Sequence, residues 1–364
     1  MDRLTEHQAD QEQRSDLSKP SKGAARRRAN RASRGRDGHG DRGSDRAGEG
    51  GTSTLTDGRS ETTRGGITSP GVKPAWPQPD DRGRGNPDMA TESVRSTDGT
   101  RIAYQRVGHG PPLVLVHGTA DDHTMWAGLA PALAARFTIL TLDRRGRGGS
   151  GDAGTYSNDR EFEYVATIVD ALGEPALLLG HSYGAFCAME AALRTENVRK
   201  LVLYEPPFPT SAGGTISPPG TLARMETLLE KGDREGALLT FAREIARLPE
   251  DLIGAMRSTP EWHASVISAH TIGREIRAAE AYVFDPARFR ALTQPTLLVL
   301  GSESPPFLTE ATEAVAAALP HGRLAVLVGQ GHRAMETNPD LLLHEVMRFL
   351  TEEPNAVSDE RDRV

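Results

Sequence analysis

The segment "PALLLGHSYGAFCAMEAALR", residues 175–194, contains the strongest structural signal in the sequence. A short apolar run ends in a G-x-S-x-G motif at residues 180–184, and a run of small and apolar residues with helical spacing follows directly. This order predicts a buried strand, a sharp turn carrying Ser182, and a helix. The glycines relieve the clash that side chains there would cause, and the helix points its first N–H groups at the serine. The pattern predicts that Ser182 is a nucleophile.

A serine hydroxyl is a weak nucleophile and needs an adjacent base. The segment "GQGHRAM" (329–335) places His332 in a loop after the last buried strand, and a nucleophile followed by its histidine is the chain order of this kind of turn. The segment "HGT" (117–119) follows the first buried parallel strand, where a loop supplies one backbone N–H to an oxyanion. The residue after the nucleophile supplies the other. We therefore expect an oxyanion hole formed by the N–H groups of Thr119 and Tyr183.

Strand patterns alternate with helix patterns from residue 97 onward. The segment "TRIAYQRVG" predicts one strand of an antiparallel pair, and apolar runs such as "PLVLVHG" and "PTLLVLG" predict strands covered on both faces. After a flexible entry that begins at residue 206, residues 220–282 contain helical patterns and no strand pattern. The alternation predicts an α/β fold, with a mostly parallel sheet, helices on both faces and a helical insertion.

Residues 95–351 resemble the α/β-hydrolase superfamily. The matching segments are "HGT", "DRRGRGGS", "GHSYG", the helical insertion after residue 205, and "GQGH". The resemblance implies an eight-stranded sheet, a helical cap inserted after the sixth strand, and a serine–histidine–acid triad. The domain boundaries that follow are a core at 91–205 and 283–352, with the cap at 206–282.

The acid of the triad departs from the superfamily pattern. Most members carry an aspartate in a G-x-x-D setting after the strand that is "TLLVL" here, but this chain has Gly301-Ser302-Glu303-Ser304. Glu205 follows the strand after the nucleophile helix, and certain haloalkane dehalogenases of the superfamily place their acid in a similar setting. We expect Glu205 to orient His332. Glu303 is the alternative acid, and a broken triad is the third interpretation.

Two competing motifs do not hold. The segment "GRGGSG" (146–151) matches G-x-G-x-x-G, but a polar loop follows it where a nucleotide-binding helix would be required. The superfamily pattern D-x-R-G-x-G-x-S accounts for the same residues as a turn. The run "DDH" (121–123) contains metal-ligand types, but no second cluster in the sequence completes a ligand set. We therefore expect neither an organic cofactor nor a metal.

Composition separates the ends of the chain from its body. Residues 1–90 hold 17 Lys and Arg against 14 Asp and Glu, and they contain almost no apolar run. Such a segment cannot offset its chain entropy, so we expect a disordered tail, and we expect a second polar tail at 353–364. Interspersed acids weaken the basic run at 25–36, which argues against a nucleic-acid partner. We also hypothesise that the native protein starts at Met89; a full-length mass for the native product would refute this.

The sequence predicts a serine hydrolase that cleaves a carboxylic ester, or an amide or thioester, through an acyl-enzyme. Ser182 in place of an aspartate argues against dehalogenase and epoxide hydrolase activity. The alternatives are a non-hydrolytic enzyme with the same triad, such as a lyase or a cofactor-free peroxidase-like enzyme, and a ligand-binding protein without activity. The expected partner is a small-molecule substrate. Cys187 as the single cysteine and the lack of an apolar leader or span favour a cytoplasmic protein without membrane contact.

Overall fold

The computed structural model describes residues 90–211 and 213–353. The expected tails at 1–90 and 353–364 therefore lie outside the described residues, apart from Ala90 and Glu353, and so does the hypothesis about Met89. The strands are β1 (Ala90–Arg95), β2 (Arg101–Val107), β3 (Pro112–Val116), β4 (Thr138–Leu142), β5 (Ala176–His181), β6 (Val198–Tyr204), β7 (Thr296–Gly301) and β8 (Gly322–Leu327).

The described helices lie between the strands from β3 onward and after β8. They are α1 (Ala130–Ala134), α2 (Asn158–Ala171), α3 (Tyr183–Ala192), α4 (Thr221–Glu230), α5 (Arg234–Thr240), α6 (Glu250–Met256), α7 (Pro260–Ser268), α8 (Ile272–Glu280), α9 (Pro286–Phe289), α10 (Pro306–Ala318), α11 (Ala334–Thr337) and α12 (Pro339–Thr351). Short 3-10 turns occur at His123–Trp126 and Ala269–Thr271, and a π-helix at Phe241–Ile245 continues α5. Among the described residues, no helix has the length and apolar character to cross a bilayer.

The strands form one eight-stranded sheet in the order β1-β2-β4-β3-β5-β6-β7-β8. β1 pairs with β2, and β2 with β4, in antiparallel register, while the other neighbours are parallel. The predicted α/β fold with a mostly parallel eight-stranded sheet is thus confirmed. Parallel strands bring their carboxyl ends to one edge of a sheet, so the ends of β3, β5, β6 and β7 meet there.

The apolar runs form strands because both faces of the sheet are covered. In β3, Val114 and Val116 belong to the core on one face, and Leu113 and Leu115 belong to the core on the other. Successive side chains of a strand point to opposite faces, so an unbroken apolar run fills two cores. On β6, the buried Lys200 ammonium donates to the carbonyls of Phe349 and Leu350 (2.7 and 3.3 Å), which ties the end of α12 to the sheet.

Helices α4 to α8 all lie between β6 and β7 in the chain. We call residues 206–282 the cap segment. Its entry, after Tyr204, runs without regular structure to α4 within the described residues, and α8 closes it. Helix α8 packs against α2 of the core and buries Ile272, Glu275 and Ile276. The boundaries of the cap as a separate domain remain a prediction.

Candidate active site

Ser182 lies between β5 and α3 in a strained conformation. Its φ of 54° is in the left-handed region, which side chains other than glycine seldom adopt. A Cβ atom on Gly180 would lie 2.3 Å from the carbonyl oxygen of Gly184, and one on Gly184 would lie 2.1 Å from the carbonyl oxygen of Val116. Both glycines are therefore required sterically, for the reason inferred from the sequence. The turn presents Ser182 at the first turn of α3, with 8% of its surface exposed.

The structure brings Glu205 and His332 together, although 127 positions separate them. Glu205 Oε2 lies 2.5 Å from His332 Nδ1, and the two side chains are 0% and 8% exposed. Glu205 is also in the left-handed region, with a φ of 52°, where the chain leaves β6. Backbone strain of this kind costs on the order of 1–3 kcal/mol and persists where the surrounding contacts hold it.

Ser304, at the position where the superfamily carries an aspartate, contacts the same carboxylate. Its hydroxyl donates to Glu205 Oε1 at 2.5 Å, and the backbone N–H of Gly301 donates to that oxygen at 2.7 Å. Two donors thus hold one oxygen, while the other oxygen faces the histidine. The sequence indicated a missing carboxylate at Ser304 but gave no sign of this hydrogen bond.

Glu303, the alternative acid, is exposed. Its backbone N–H donates to the carbonyl of Gln330 at 2.9 Å, but its carboxylate makes no hydrogen bond or ion pair with any residue that the structure describes. Glu303 lines a cavity of about 240 Å³, together with His332, Pro305 and Leu252 from the cap segment. The structure therefore brings Glu205, and not Glu303, to the imidazole.

Two side chains from neighbouring strands fix the loop that carries His332. His181 donates from Nε2 to the backbone carbonyl of His332 at 2.9 Å, and the two rings lie 4.6 Å apart between centroids. Burial holds the pKa of His181 well below its usual value, with the nearby His332 and Arg333 adding to the effect. The Tyr204 hydroxyl donates to the carbonyl of Gly331 at 2.5 Å and accepts from the N–H of Ala334 at 3.2 Å. Sequence reasoning missed Tyr204, whose place beside Glu205 at the strand end was the available signal.

The loop after β3 abuts the serine. A Cβ atom on Gly118 would lie 3.0 Å from Ser182 Cβ and 3.0 Å from His181 Nδ1, so a side chain there would require these neighbours to shift. Thr119 follows in a turn and is buried, and Tyr183 is the first residue of α3. Thr119 and Tyr183, the residues expected to form the oxyanion hole, thus directly follow Gly118 and Ser182 in the chain and belong to two different elements. The N–H groups of the first turn of α3 carry partial positive charge.

Two residues of the "DDH" run, Asp122 and His123, lie close to Asp143, which the sequence did not indicate as a member of this group. Ligand atoms of Asp122, His123 and Asp143 lie within 4.8 Å of one another. Both oxygens of Asp143 already accept hydrogen bonds, one from the N–H and ring of His123 (3.0 and 2.6 Å) and the other from the N–H of Gly149 (2.7 Å). These bonds pin the turn after β4, and we assign no cation to the group.

Residues 113–345 match the model of a family described as the alpha/beta hydrolase family. The chain is 35% identical to a crystallised alpha/beta hydrolase from Sphaerobacter thermophilus DSM 20745, with a TM-score of 0.63, over 71% of this chain and 100% of the other. An esterase from Rhodococcus sp. ECU1013 is 24% identical, with a TM-score of 0.60, over 72% and 99% of the two chains, and shares the fold.

A relative of named activity is the pimeloyl-[acyl-carrier protein] methyl ester esterase of Xanthomonas axonopodis pv. citri. It is 26% identical over 262 residues, which cover 68% of this chain and 98% of that protein. The family match spans well over half of the chain and includes the strands and loops that carry Ser182, Glu205 and His332. The protein is therefore a hydrolase that belongs to the alpha/beta hydrolase family.

Proposed function

We propose that the protein is a serine hydrolase that cleaves a carboxylic ester, or an amide or thioester, through an acyl-enzyme. The observation that carries the proposal is the Glu205–His332 contact of 2.5 Å, together with a serine held at a φ of 54° at the start of α3. An esterase relative over most of the chain supports an ester as the substrate class.

The proposed first step is attack by the Ser182 hydroxyl oxygen on the substrate carbonyl carbon. His332 takes the hydroxyl proton at Nε2, since Glu205 holds the proton on Nδ1. The carbonyl π electrons move to oxygen, and the N–H groups of Thr119 and Tyr183 bind the resulting oxyanion. When the tetrahedral intermediate collapses, the carbonyl re-forms, the bond to the leaving group breaks and the leaving group takes the proton from His332.

The second half repeats these roles with water. His332 removes a proton from water, the hydroxide adds to the acyl carbon, and the bond to Ser182 breaks as the serine oxygen regains its proton. The products are the carboxylic acid and free enzyme. The carboxylate of Glu205 stabilises the imidazolium in both halves without becoming protonated.

His332 lines the cavity described above, whereas Ser182 is not among its lining residues, and we propose that a small group of the substrate occupies it. The cavity volume of about 240 Å³ is below the roughly 300–1,000 Å³ of sites that bind drug-sized ligands. We expect p-nitrophenyl esters with acyl chains of about two to four carbons to be hydrolysed with higher kcat/KM than those of about eight or more. A preference for long chains would contradict this part of the proposal.

A fluorophosphonate probe tests the proposed nucleophile directly. It should label the wild-type protein on Ser182, located by peptide mass spectrometry, and should leave Ser182→Ala unlabelled. No labelling of a folded wild-type protein would overturn the serine-hydrolase proposal. We also propose a cytoplasmic location, because a single cysteine allows no internal disulfide. Fractionation of native cells tests this, and recovery from the secreted fraction would contradict it.

A further inference from the structure

Four charged side chains that the proposed mechanism does not use lie buried between α2, the turn after β4, and α8 of the cap segment. Arg144, Glu161 and Glu275 are 0% exposed, and Arg147 is 2% exposed. Arg144 bonds both acids: its Nη2 lies 2.8 Å from Glu275 Oε1, and its Nε donates to Glu161 Oε2 at 3.1 Å. Arg147 Nη2 also lies 2.5 Å from Glu275 Oε1. Buried ion pairs contribute little net stability compared with apolar packing, so this group calls for another explanation.

Arg144 contacts the peptide that carries one proposed oxyanion donor. Its Nη1 donates to the carbonyl of Gly118 at 3.2 Å, and His117 Nδ1 donates to the same oxygen at 2.8 Å. The backbone N–H of Arg144 in turn donates to His117 Nε2 at 2.9 Å. The carbonyl of Gly118 and the N–H of Thr119 belong to one planar peptide unit. A contact that fixes the oxygen therefore fixes the direction of the N–H.

The same guanidinium lies against the residue that carries the other proposed donor. The Cζ atom of Arg144 is 4.5 Å from the centroid of the Tyr183 ring, a distance at which the cation and the ring face attract each other. Tyr183 is fully buried, and its hydroxyl lies 2.9 Å from that of Tyr156. Arg144 thus contacts both halves of the proposed oxyanion hole, which come from different parts of the sheet edge.

Glu275 links this arrangement to the cap segment. It projects from α8 and is held by both arginines, while Glu161 on α2 holds Arg144 from the core side. Burial alone would raise the pKa of Glu275, but the charges of Arg144 and Arg147, with hydrogen bonds from Arg147 and Thr119, keep it below its ordinary value. The carboxylate is therefore charged at neutral pH, and it attracts Arg144 strongly.

We propose that Arg144 is a positioning residue that orients the oxyanion hole, and that Glu275 of the cap segment holds Arg144 in place. The inference rests on the proposed serine-hydrolase function. The direction of the Thr119 N–H then depends on α8 being seated against α2. An enzyme with a displaced α8 would keep its serine, histidine and acid but would bind the oxyanion poorly.

Arg144→Lys tests the first part. Lysine keeps a cation between the two acids but lacks the planar fork that reaches the carbonyl of Gly118. We expect kcat for p-nitrophenyl acetate to fall about 10- to 100-fold, somewhat less than the roughly 10²- to 10³-fold loss when a donor is removed outright. KM should change by less than about threefold, because the oxyanion forms only in the transition state.

The affinity of a boronic-acid inhibitor is a second measurement, and it would not change if the role of Arg144 were purely structural. The tetrahedral adduct of the inhibitor with Ser182 places an oxygen in the oxyanion hole, so the affinity should fall by the same factor as kcat/KM. If Arg144→Lys remains folded and keeps both quantities within about twofold of wild type, the positioning role is overturned. A fluorophosphonate separates the two proposals: an unlabelled wild type refutes the serine hydrolase, whereas equal labelling rates for wild type and Arg144→Lys refute only the inference.

Glu275→Gln tests the link to the cap segment, with Glu190→Gln as the matched control. Glu190 is also a buried carboxylate, 1% exposed, and it bonds Tyr282 and Arg288 (2.6 and 3.0 Å) instead of Arg144. We expect Glu275→Gln to lose about tenfold or more in kcat and in inhibitor affinity, and the control to stay within about twofold. Equal losses in both variants would overturn the link. If Glu275→Gln does not fold, Glu275→Asp, which keeps the charge and shortens the reach, must show the same matched loss.

Discussion

Replacing Glu205 by Gln removes one charge and turns one acceptor atom into a donor. The surrounding donors decide which way the amide points. Gly301 N–H and the Ser304 hydroxyl both donate to the oxygen on the far side of His332, at 2.7 and 2.5 Å. The amide oxygen takes that place, since the opposite orientation would set the amide NH2 against a buried N–H and cost about 1–3 kcal/mol. The NH2 group then faces His332 Nδ1.

An NH2 group facing Nδ1 forces the wrong imidazole tautomer. Nδ1 must accept, so the proton moves to Nε2, and a protonated Nε2 cannot take the proton of Ser182. The same tautomer fault in a serine protease triad lowers kcat by about 10⁴-fold, which corresponds to about 5 kcal/mol. We expect E205Q to lose kcat by this order, with little change in KM. The Ser182→Ala variant, which lacks the proposed nucleophile, gives the background rate of hydrolysis in this assay.

The measurement is steady-state hydrolysis of p-nitrophenyl acetate by E205Q and by Glu303→Gln, its control. Glu303 is exposed and its carboxylate has no partner among the described residues, so Glu303→Gln should stay within about twofold of wild type. If E205Q keeps more than about a tenth of wild-type kcat, the tautomer argument fails. If Glu303→Gln shows the larger loss, the triad acid is Glu303.

Three further predictions follow from contacts around the site and the sheet. Ser304→Ala removes the hydroxyl that donates to Glu205, but the Gly301 N–H stays, so we expect a roughly tenfold lower kcat with p-nitrophenyl acetate. Burial lowers the pKa of His117 and His181 well below 6.5. The unfolded chain alone gains these protons, so the free energy of unfolding should fall by up to about 2.7 kcal/mol for each pH unit below 6.5. Urea titrations between about pH 7.5 and 5.5 measure this, and a flat profile would contradict it. Lys200→Met leaves buried helix carbonyls without a donor, so it should cost about 2 kcal/mol in urea unfolding with kcat unchanged.

Local steric rules made the sharp turn at Ser182 predictable from the sequence. A serine in the left-handed region of this turn needs small residues two positions away on each side. Gly180 and Gly184 meet this need, so the G-x-S-x-G motif is visible in the sequence. The alternating strand and helix patterns likewise made the sheet predictable. Both faces of the sheet are covered, so its strands are recognisable as apolar runs of several consecutive residues. Structural features that depend on residues close in sequence can therefore be predicted from the sequence.

The buried ion pairs could not be predicted in this way. Arg144 and Glu275 are 131 positions apart, and Glu161 and Glu275 sit on helices where a charge normally faces water. Only the packing of α8 on α2 turns these charges inward. The hydrogen bond from Ser304 to Glu205 has the same origin, since it depends on how two neighbouring strands end, 99 positions apart.

The placement of Glu205 on β6 has a consequence for how this enzyme can change. The loop after β7 does not supply the proposed acid, and the described residues of this loop that contact the Glu205 carboxylate are Gly301 and Ser304. Positions 303 and 305 are then free to vary, and both line the cavity beside His332. We therefore expect substrate preference and catalytic competence to depend on different strand ends. A mutational library confined to positions 303 and 305 should therefore yield altered selectivity with few inactive members, and it is the natural starting point for directed evolution.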